Sequence, residues 1–375
     1  MRIFSASART GLASFWLVLS TALLARSDSG PLTQFSPGDL WPDNQGVHIN
    51  AHGGGVLLDN GTYYWYGEHK IAGGIGNSAQ VGVHVYSSRD LYNWKDEGIA
   101  LAVANDPKSD IVKGSIIERP KVLHNAKTGR YVMWFHLELK GRGYRAARAG
   151  VAVSDTPTGP FVFLKSFRLN PGIRPANPAG SAAAFKLAAD HADQLLQQYP
   201  DGQMLRDMNL FVDDDGAAYV IYASEDNATM QIALLSDNFL LPAGKYSEIQ
   251  SDSREAPALF KCRHQYWLIT SACTGWAPNQ ARLAVADSVW GPYHSLGDPC
   301  LGKNPDNQLG PEKTFGGQST CILPVPGKPG AFIAMFDLWH PDNPIDGRYL
   351  WLPLKFVNDR PAIEFKKPWD FSYFN

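Results

Sequence analysis

The residues that could carry chemistry are five polar side chains, each at the opening of a short apolar segment. They occupy equivalent positions of an internal repeat: His52, Glu118, Asp207, Glu255 and Gln318. Three of them are carboxylic acids, and carboxyl groups held close together raise one another's pKa. One protonated and one ionised carboxyl group together suit general acid–base catalysis. The alternative is a structural cluster neutralised by adjacent bases, namely Arg119, Arg206 and Arg254.

Hydrolysis of a glycosidic bond needs such a pair of groups. An acid protonates the leaving oxygen, and a second group acts on the opposite side of the sugar. Glu255, in the segment "REAP", has the better setting for the acid because Pro257 and an apolar residue follow it. Asp207 would raise the pKa of Glu255 and orient it. Glu118, in the segment "ERPK", is the candidate base.

Five repeats must position these residues. Each repeat has an apolar strand, a turn rich in Gly, Asp or Asn, an aromatic-rich return strand and one or two further strands. The segments "HGGGVLLDNGTYYWYGE" and "REAPALFKCRHQYWLIT" are two examples. Four short strands repeated five times predict an all-β, five-bladed β-propeller, whose inner strands meet around one axis.

Two segments fall outside this repeat. Residues 1–29 have a basic start, an apolar run and small residues, which predicts a secretory signal peptide and a secreted or periplasmic protein. An uncleaved membrane anchor is the alternative. Residues 170–204, between the second and third blades, include apolar residues at helical spacing and predict a helical insertion. Residues 30–375 are predicted to form a single propeller domain.

The composition narrows the class of partner. The formal net charge is −2 and no polybasic run occurs, which argues against nucleic acid and against an anionic membrane surface. The 11 tryptophans suit stacking on sugar rings, although most are expected in the core. The spacing of the four cysteines does not indicate a zinc site. Export would permit a disulfide, for which the preferred pairing is Cys273 with Cys300.

Six motifs carry a family resemblance. The segments "AHGGG", "ERPK", "RDM", "REAP", "CTGW" and "QST" follow one another in this order. Together they resemble glycoside hydrolase family 43, in the branch that includes exo-β-1,3-galactanases, over about residues 45–370. The resemblance implies a five-bladed propeller and inverting, exo-acting hydrolysis of plant-type polysaccharide side chains. It also implies that Glu255 matches the general acid and Asp207 the modulator of its pKa.

The first blade departs from the wider family, where an aspartate acts as the base. This chain has His52 and three glycines there, as in the galactanase branch, and the glycines predict a close approach of the backbone to another group. By resemblance the base is Glu118 or Gln318. A glutamine is a poor base, so Glu118 is preferred and Gln318 is expected to hold the water or the sugar.

The resemblance also suggests sugar contacts, at Tyr144, Asn227, Thr274 and Trp339. His52 is a further candidate for a sugar contact or for holding a central water or cation, and the alternative is a hydrogen-bonded structural residue. No cofactor is required, and a structural calcium ion at the propeller axis is compatible with the resemblance. The leading substrate is a galactan or arabinogalactan side chain. The alternatives are an α-L-arabinofuranosidase or β-galactofuranosidase of the same family, and a carbohydrate-binding propeller without catalysis. The sequence does not indicate an oligomeric state.

Overall fold

Strands account for nearly all regular structure in the residues that the computed structural model describes, which are 30–176, 193, 194 and 196–375. The first blade contains β1 (His52–Asp59), β2 (Thr62–His69), β3 (Gly82–Ser88) and β4 (Lys95–Ala102). The second contains β5 (Ile116–Asn125), β6 (Arg130–Glu138), β7 (Arg148–Ser154) and β8 (Val162–Phe167). The third contains β9 (Met208–Val212), β10 (Ala218–Ser224), β11 (Thr229–Leu235) and β12 (Pro242–Gln250).

The last two blades follow the same order. The fourth contains β13 (Arg254–Cys262), β14 (Gln265–Ala272), β15 (Arg282–Ala286) and β16 (His294–Gly297). The fifth contains β18 (Gln318–Pro324), β19 (Ala331–Leu338), β20 (Arg348–Val357) and β21 (Arg360–Glu364), with β17 (Cys300–Leu301) paired parallel to β21 at the outer edge. The first strand of each blade contacts the first strand of the next, and β18 contacts β1. This closed ring confirms the predicted five-bladed β-propeller.

Five hydrophobic layers, one between each pair of neighbouring blades, hold the ring together. Successive side chains of a strand point to opposite faces, so each blade packs on both sides. Trp65 packs toward the fifth blade, whereas the next residue, Tyr66, packs toward the second. Burial on both faces explains why strands such as "YYWYG" are apolar almost throughout. Most tryptophans serve this packing, as predicted, and Trp65, Trp94, Trp134 and Trp351 are fully buried.

Both ends of the propeller chain meet in the layer between the fifth and first blades. The backbone N–H of Phe35 donates to the carbonyl of Trp369 at 2.7 Å, and their rings stack with centroids 4.4 Å apart. Pro31–Asn375 groups as one compact unit. Burying these two large rings joins the first blade to the last without a shared sheet.

The inner strands of four blades carry a β-bulge close to the site end. The register shifts lie between His52 and Gly55, Glu118 and Lys121, Glu255 and Ala258, and Ser319 and Cys321. Three of these bulges contain a residue in the left-handed region: Gly53 (φ +61°), Arg119 (φ +56°) and Ala256 (φ +54°). A bulge bends the strand and re-aims its side chains. The polar opening residue of a bulged blade is thereby turned relative to the strand that follows it.

Three sequence predictions concern other parts of the chain. The signal peptide lies outside the described residues, as do residues 177–192 and 195 of the predicted helical insertion. Within residues 170–204, helical backbone is described at 193, 194 and 196–198. Among the described residues, no helix is long and apolar enough to cross a membrane. The predicted disulfide is wrong, because all four cysteines are free. Cys273 is exposed beyond the end of β14, whereas Cys300 is buried in β17 of another blade.

Candidate active site

A cavity of about 270 Å³ opens where the inner strands begin. This volume is close to the lower end of the usual range for ligand sites, about 300–1,000 Å³. Seven of the predicted site residues line it: Glu118, Tyr144, Asp207, Asn227, Glu255, Gln318 and Trp339. The repeat alignment therefore brings four of its five opening residues to one cavity.

Glu255 opens β13 and is held between two amide donors. The side-chain amide of Gln318 donates to Oε1 at 2.9 Å, and that of Asn227 donates to Oε2 at 3.1 Å. Burial, and next the charge of Asp207, raise the pKa of Glu255 to about 8, although the Arg119 guanidinium opposes the shift. At neutral pH this carboxyl group is predominantly protonated and can donate a proton.

Asp207, just before β9, links the acid to the ring of inner strands. Its Oδ2 accepts the backbone N–H of Ala256 at 3.0 Å, which is the peptide directly after Glu255. The same oxygen accepts Arg119 Nη2 at 2.8 Å. Asp207 thus places its negative charge beside Glu255 and also fixes the backbone that carries the acid.

Glu118, in β5, is 6% exposed and accepts three side-chain donors. His136 Nδ1 donates to Oε2 at 2.8 Å, and the Tyr144 hydroxyl donates to Oε1 at 2.6 Å. The amide of Asn77 also donates to Oε1. Burial alone would raise the pKa of Glu118, but the His136 and Tyr144 hydrogen bonds and the positive charges of His136 and Lys70 lower it to about 2. Glu118 is therefore an ionised acceptor.

Gln318 opens β18 with both ends of its amide fixed. Its Oε1 accepts Arg119 Nη2 at 2.6 Å and Trp339 Nε1 at 2.9 Å. Its Nε2 donates to Glu255 at 2.9 Å and to Ser271 Oγ at 3.0 Å. These contacts assign the amide oxygen and nitrogen unambiguously, and they place Gln318 beside the acid.

Aromatic side chains form the rim. Trp276 and Trp339 lie edge to face with ring centroids 5.8 Å apart, and Trp276 is 41% exposed. Tyr144 is 39% exposed and sits in a short 3₁₀ turn after β6. Aromatic faces beside hydrogen-bonding groups suit a ligand with apolar C–H faces and hydroxyl edges.

Two predicted sugar contacts do not line the cavity. His52 is 1% exposed, and its ring stacks on Tyr349 with centroids 5.4 Å apart. Thr274 turns its hydroxyl to the backbone, donating to the carbonyl of Ala277 at 2.6 Å. The wall next to Thr274 is built instead by Gly275 and Trp276. The motif alone specifies neither the packing of His52 on Tyr349 nor the turn that Thr274 stabilises.

The three glycines after His52 make room for groups of other strands, which are side chains at Gly53 and Gly55 and the backbone carbonyl of Tyr66 at Gly54. A Cβ on Gly55 would lie 2.6 Å from Lys121 Cδ, and one on Gly53 would lie 2.3 Å from Glu68 Oε1. Lys121 crosses from β5 and donates its ammonium to the carbonyl of Gly53 at 2.9 Å. Only glycine leaves these side chains their present positions.

These residues do not fit a calcium ion at the axis. Calcium prefers several carboxylate and carbonyl oxygens, whereas the buried ammonium of Lys121 donates to the carbonyl that β1 presents here. Across the part of the chain that the structure describes, no group of three or more His, Cys, Asp or Glu side chains is placed to hold a metal ion.

A second set of residues lies behind the first, and the sequence reasoning missed His136, Asn77 and Trp276 among them. In the antiparallel register, Glu68 lies opposite His52, and His136 lies opposite Glu118. Both line the cavity, together with Asn77, Arg119, Arg206 and Trp276. The available signal was a polar residue at or near the end of an aromatic strand, namely Glu68 in "YYWYGE" and His136 in "MWFHLE". Cross-strand pairing places such a residue beside the opening residue.

The fold and the cavity together indicate a class of enzyme. A five-bladed propeller with a protonated and an ionised carboxyl group in one sugar-sized cavity is the arrangement of a glycoside hydrolase. Comparison with known proteins makes the assignment specific. No family model matches the sequence, and a comparison with curated proteins gave no match.

Solved structures do match. A family 43 β-1,3-galactosidase solved with galactodeoxynojirimycin is 50% identical over 90% of this chain and 100% of its own, with a TM-score of 0.83. The exo-β-1,3-galactanase of Phanerochaete chrysosporium, solved with galactose, is 31% identical over 88% of this chain and 66% of its own, with a TM-score of 0.71. That of Clostridium thermocellum is 34% identical over 88% of this chain and 65% of its own, with a TM-score of 0.72.

The chain belongs to glycoside hydrolase family 43. The family resemblance inferred from the six motifs is thereby confirmed. Variants of the Phanerochaete enzyme were also solved with β-1,3-galactotriose, at 30% identity to this chain.

Proposed function

We propose that this protein releases galactose from the ends of β-1,3-linked galactan or arabinogalactan chains by hydrolysis with inversion. The observation that carries the proposal is the pair of carboxyl groups held in opposite protonation states, Glu255 and Glu118, in one cavity. The substrate follows from the relatives, whose titles name a β-1,3-galactosidase and exo-β-1,3-galactanases. The small cavity favours one terminal sugar over an internal stretch of polymer.

Glu255 acts as the general acid in this proposal. It gives its proton to the glycosidic oxygen as the bond to the anomeric carbon breaks, and it becomes a carboxylate. Asp207, anchored by the peptide of Ala256 and by Arg119, keeps the acid protonated beforehand. Asn227 and Gln318 hold the two carboxyl oxygens and so aim the proton.

Glu118 orients the attacking water and accepts its proton. A carboxylate with a pKa of about 2 is a weak base toward free water. The water becomes strongly acidic, however, as it bonds to a carbon with oxocarbenium character. A weak base in a fixed orientation is then sufficient. Gln318, which contacts the acid, is proposed to hold the sugar rather than to remove a proton.

The rim supplies contacts to the sugar. The exposed face of Trp276 is available to the apolar face of a sugar, and Trp339 lies beside it. Tyr144 and Asn77, which both donate to Glu118, also face the cavity and can accept hydrogen bonds from sugar hydroxyl groups. Together they provide the apolar surface and polar edges that a pyranose presents.

The decisive experiment compares terminal sugars at equal concentration. Purified protein is incubated with β-1,3-galactobiose, β-1,4-galactobiose, a nitrophenyl α-L-arabinofuranoside and a nitrophenyl β-galactofuranoside. We expect galactose from the β-1,3-linked disaccharide, first as the α-anomer in proton NMR. Faster release of a furanose would reassign the substrate. Binding of galactan without release of any sugar would leave a carbohydrate-binding propeller instead.

A further inference from the structure

Three buried side chains form a line that runs from the cavity into the second blade. His136 Nδ1 donates to Glu118 Oε2 at 2.8 Å, and His136 Nε2 donates to Glu138 Oε1 at 3.0 Å. All three are almost inaccessible to water, with 1% exposure for His136. An imidazole with a carboxylate on each nitrogen is held in one orientation and favoured in its doubly protonated form.

Glu138 is fixed from behind. Its Oε2 accepts the backbone N–H groups of Ala146 and Ala147 at 2.8 and 3.0 Å. Those two residues directly follow the turn that carries Tyr144, whose hydroxyl donates to Glu118. The same loop therefore anchors the far end of the line and contributes a donor at its cavity end.

We propose that His136, held by Glu138, is a positioning residue that keeps Glu118 ionised and in one orientation. The inference rests on the proposed function, because it assigns a means by which the partner of the acid keeps its state. His136 itself reaches only Glu118 among the proposed reacting groups, so it acts through that residue.

Charges on the surrounding elements decide whether His136 alone can keep Glu118 ionised. Lys70, at the end of the first blade's second strand, pairs with Glu68 at 2.5 Å and donates to Asn77 at 2.7 Å. Glu68 and Glu138 are the acidic groups that face the pair, and Glu255 faces it in its protonated form. Arg119 is the neighbouring guanidinium, and Tyr144 is the titratable hydroxyl. The ammonium of Lys70 is shared with Glu68, whereas His136 contacts Glu118 directly.

The balance favours charged His136. Burial lowers the pKa of His136, but hydrogen bonds to Glu118 and Glu138 and their charges outweigh it and raise that pKa to about 9. Glu118 is correspondingly held ionised. A neutral histidine at this place would leave Glu118 and Glu138 as buried anions without a cation in direct contact, since Lys70 pairs with Glu68 and Arg119 pairs with Asp207, which is costly.

The kinetic test uses two substitutions at one position. His136→Asn keeps a donor near Nδ1 without the charge, and His136→Leu removes both. We expect the acidic limb of kcat/KM against pH to move to higher pH in the order wild type, Asn, Leu. At pH 5 the Asn variant should lose about tenfold or more while recovering near pH 7. A uniform loss at all pH values, with an unmoved limb, would overturn the proposal.

Two controls separate positioning from folding. His124→Asn, at the other end of β5, replaces a half-buried histidine paired with Asp59 at 3.3 Å and should leave the pH profile unchanged. Thermal unfolding of each variant checks that the propeller is intact. If His136→Leu does not fold, the comparison of wild type with His136→Asn still decides the outcome.

A second readout does not depend on activity. The ¹⁵N resonances of His136, assigned by their loss in His136→Asn, should report a doubly protonated ring at pH 7.5, and Glu118→Gln should lower its pKa. A neutral ring at pH 7.5 in the wild type would overturn the proposal even if galactan is cleaved. A charged ring in a protein that cleaves no sugar would instead overturn the proposed function alone.

Discussion

The openings of the second and fourth blades are near copies of one another and hold their glutamates in opposite states. Each reads Glu, one residue, then Pro, in "ERPK" and "REAP". Each has a bulge after the glutamate, and the intervening residues, Arg119 and Ala256, have φ near +55°. Backbone geometry therefore cannot be what separates the two side chains.

The difference comes from what stands opposite each glutamate across the strand pair. Glu118 faces His136, whereas Glu255 faces Ser271. A buried cation donates directly to the carboxylate of Glu118. Glu255 accepts hydrogen bonds only from neutral amides and lies beside the Asp207 anion, whose effect the Arg119 guanidinium opposes only in part. Desolvation therefore raises the pKa of Glu255, whereas at Glu118 the hydrogen bonds and positive charges outweigh it.

The same Glu-x-Pro opening therefore has two different chemical roles, which depend on the residue opposite the glutamate in the neighbouring strand. The pKa of Glu118 is about 2 and that of Glu255 about 8. Between these values one carboxyl group is ionised and the other protonated. Two groups whose environments push their pKa values apart can serve as base and acid in one reaction.

Removing the acid should have the largest effect. Glu255→Gln keeps the size and one of the two accepted hydrogen bonds but cannot donate the proton, so kcat on β-1,3-galactobiose should fall by about 10²–10⁴-fold. KM should change little. The variant serves as its own control, because a nitrophenyl galactoside has a leaving group that needs less protonation and should retain more rate. An equal loss on both substrates would contradict the acid role.

Removing Glu118, the ionised partner of the acid, should lower kcat less than removing Glu255, and it should affect both substrates alike. Glu118→Gln should lower kcat by about 10²-fold on both substrates, since water activation is needed whatever the leaving group. Added azide should restore part of the rate by replacing the water and give the α-glycosyl azide. Gln318→Ala is the matched comparison, and it should raise KM more than it lowers kcat. A larger kcat loss in Gln318→Ala than in Glu118→Gln would move the base role to Gln318.

The pH profile should change when the charge beside the acid is removed. In the wild type, kcat/KM should fall as pH rises through about 8, because Glu255 loses the proton it must donate. Asp207→Asn removes the second cause of the raised pKa after burial, so the alkaline limb should move to lower pH. An alkaline limb that stays in place would mean that burial alone sets the pKa of Glu255.

The sequence was sufficient to predict the propeller fold and to name the residues at the openings of the inner strands that line the cavity. Strand and turn chemistry repeats along the chain, so an alignment of repeats placed Glu118, Asp207, Glu255 and Gln318 at one mouth. The motif resemblance added Tyr144, Asn227 and Trp339. His52 shares the repeat position but is turned into the packing beside Tyr349.

The second set of residues, behind the first, is placed by the strand register, which the repeat alignment did not use. The register turns His136 toward Glu118 and Asp337 toward the N–H of Gly53, to which its Oδ2 is 2.6 Å away. Glu138 becomes relevant only because a later loop returns two N–H groups to it. The protonation states follow from burial and from these partners, so they require the folded arrangement.

The smallest expected effect tests the shared backbone of the two openings. Ala256 has φ +54°, a conformation that costs an L-residue about 1–2 kcal/mol, and glycine would relieve it. Losing the buried methyl group costs a similar amount, about 0.8 kcal/mol, and glycine adds unfolded-state entropy. Ala256→Gly should therefore change the free energy of unfolding by less than about 1 kcal/mol.

Ala258, two residues along the same strand, is the matched control because it is equally buried and lacks the positive φ. Ala258→Gly loses the methyl group and gains entropy when unfolded, with no strain to relieve, so it should cost about 1–2 kcal/mol. Urea unfolding of both variants measures the difference. Equal losses would mean that the bulge is not strained at Ala256.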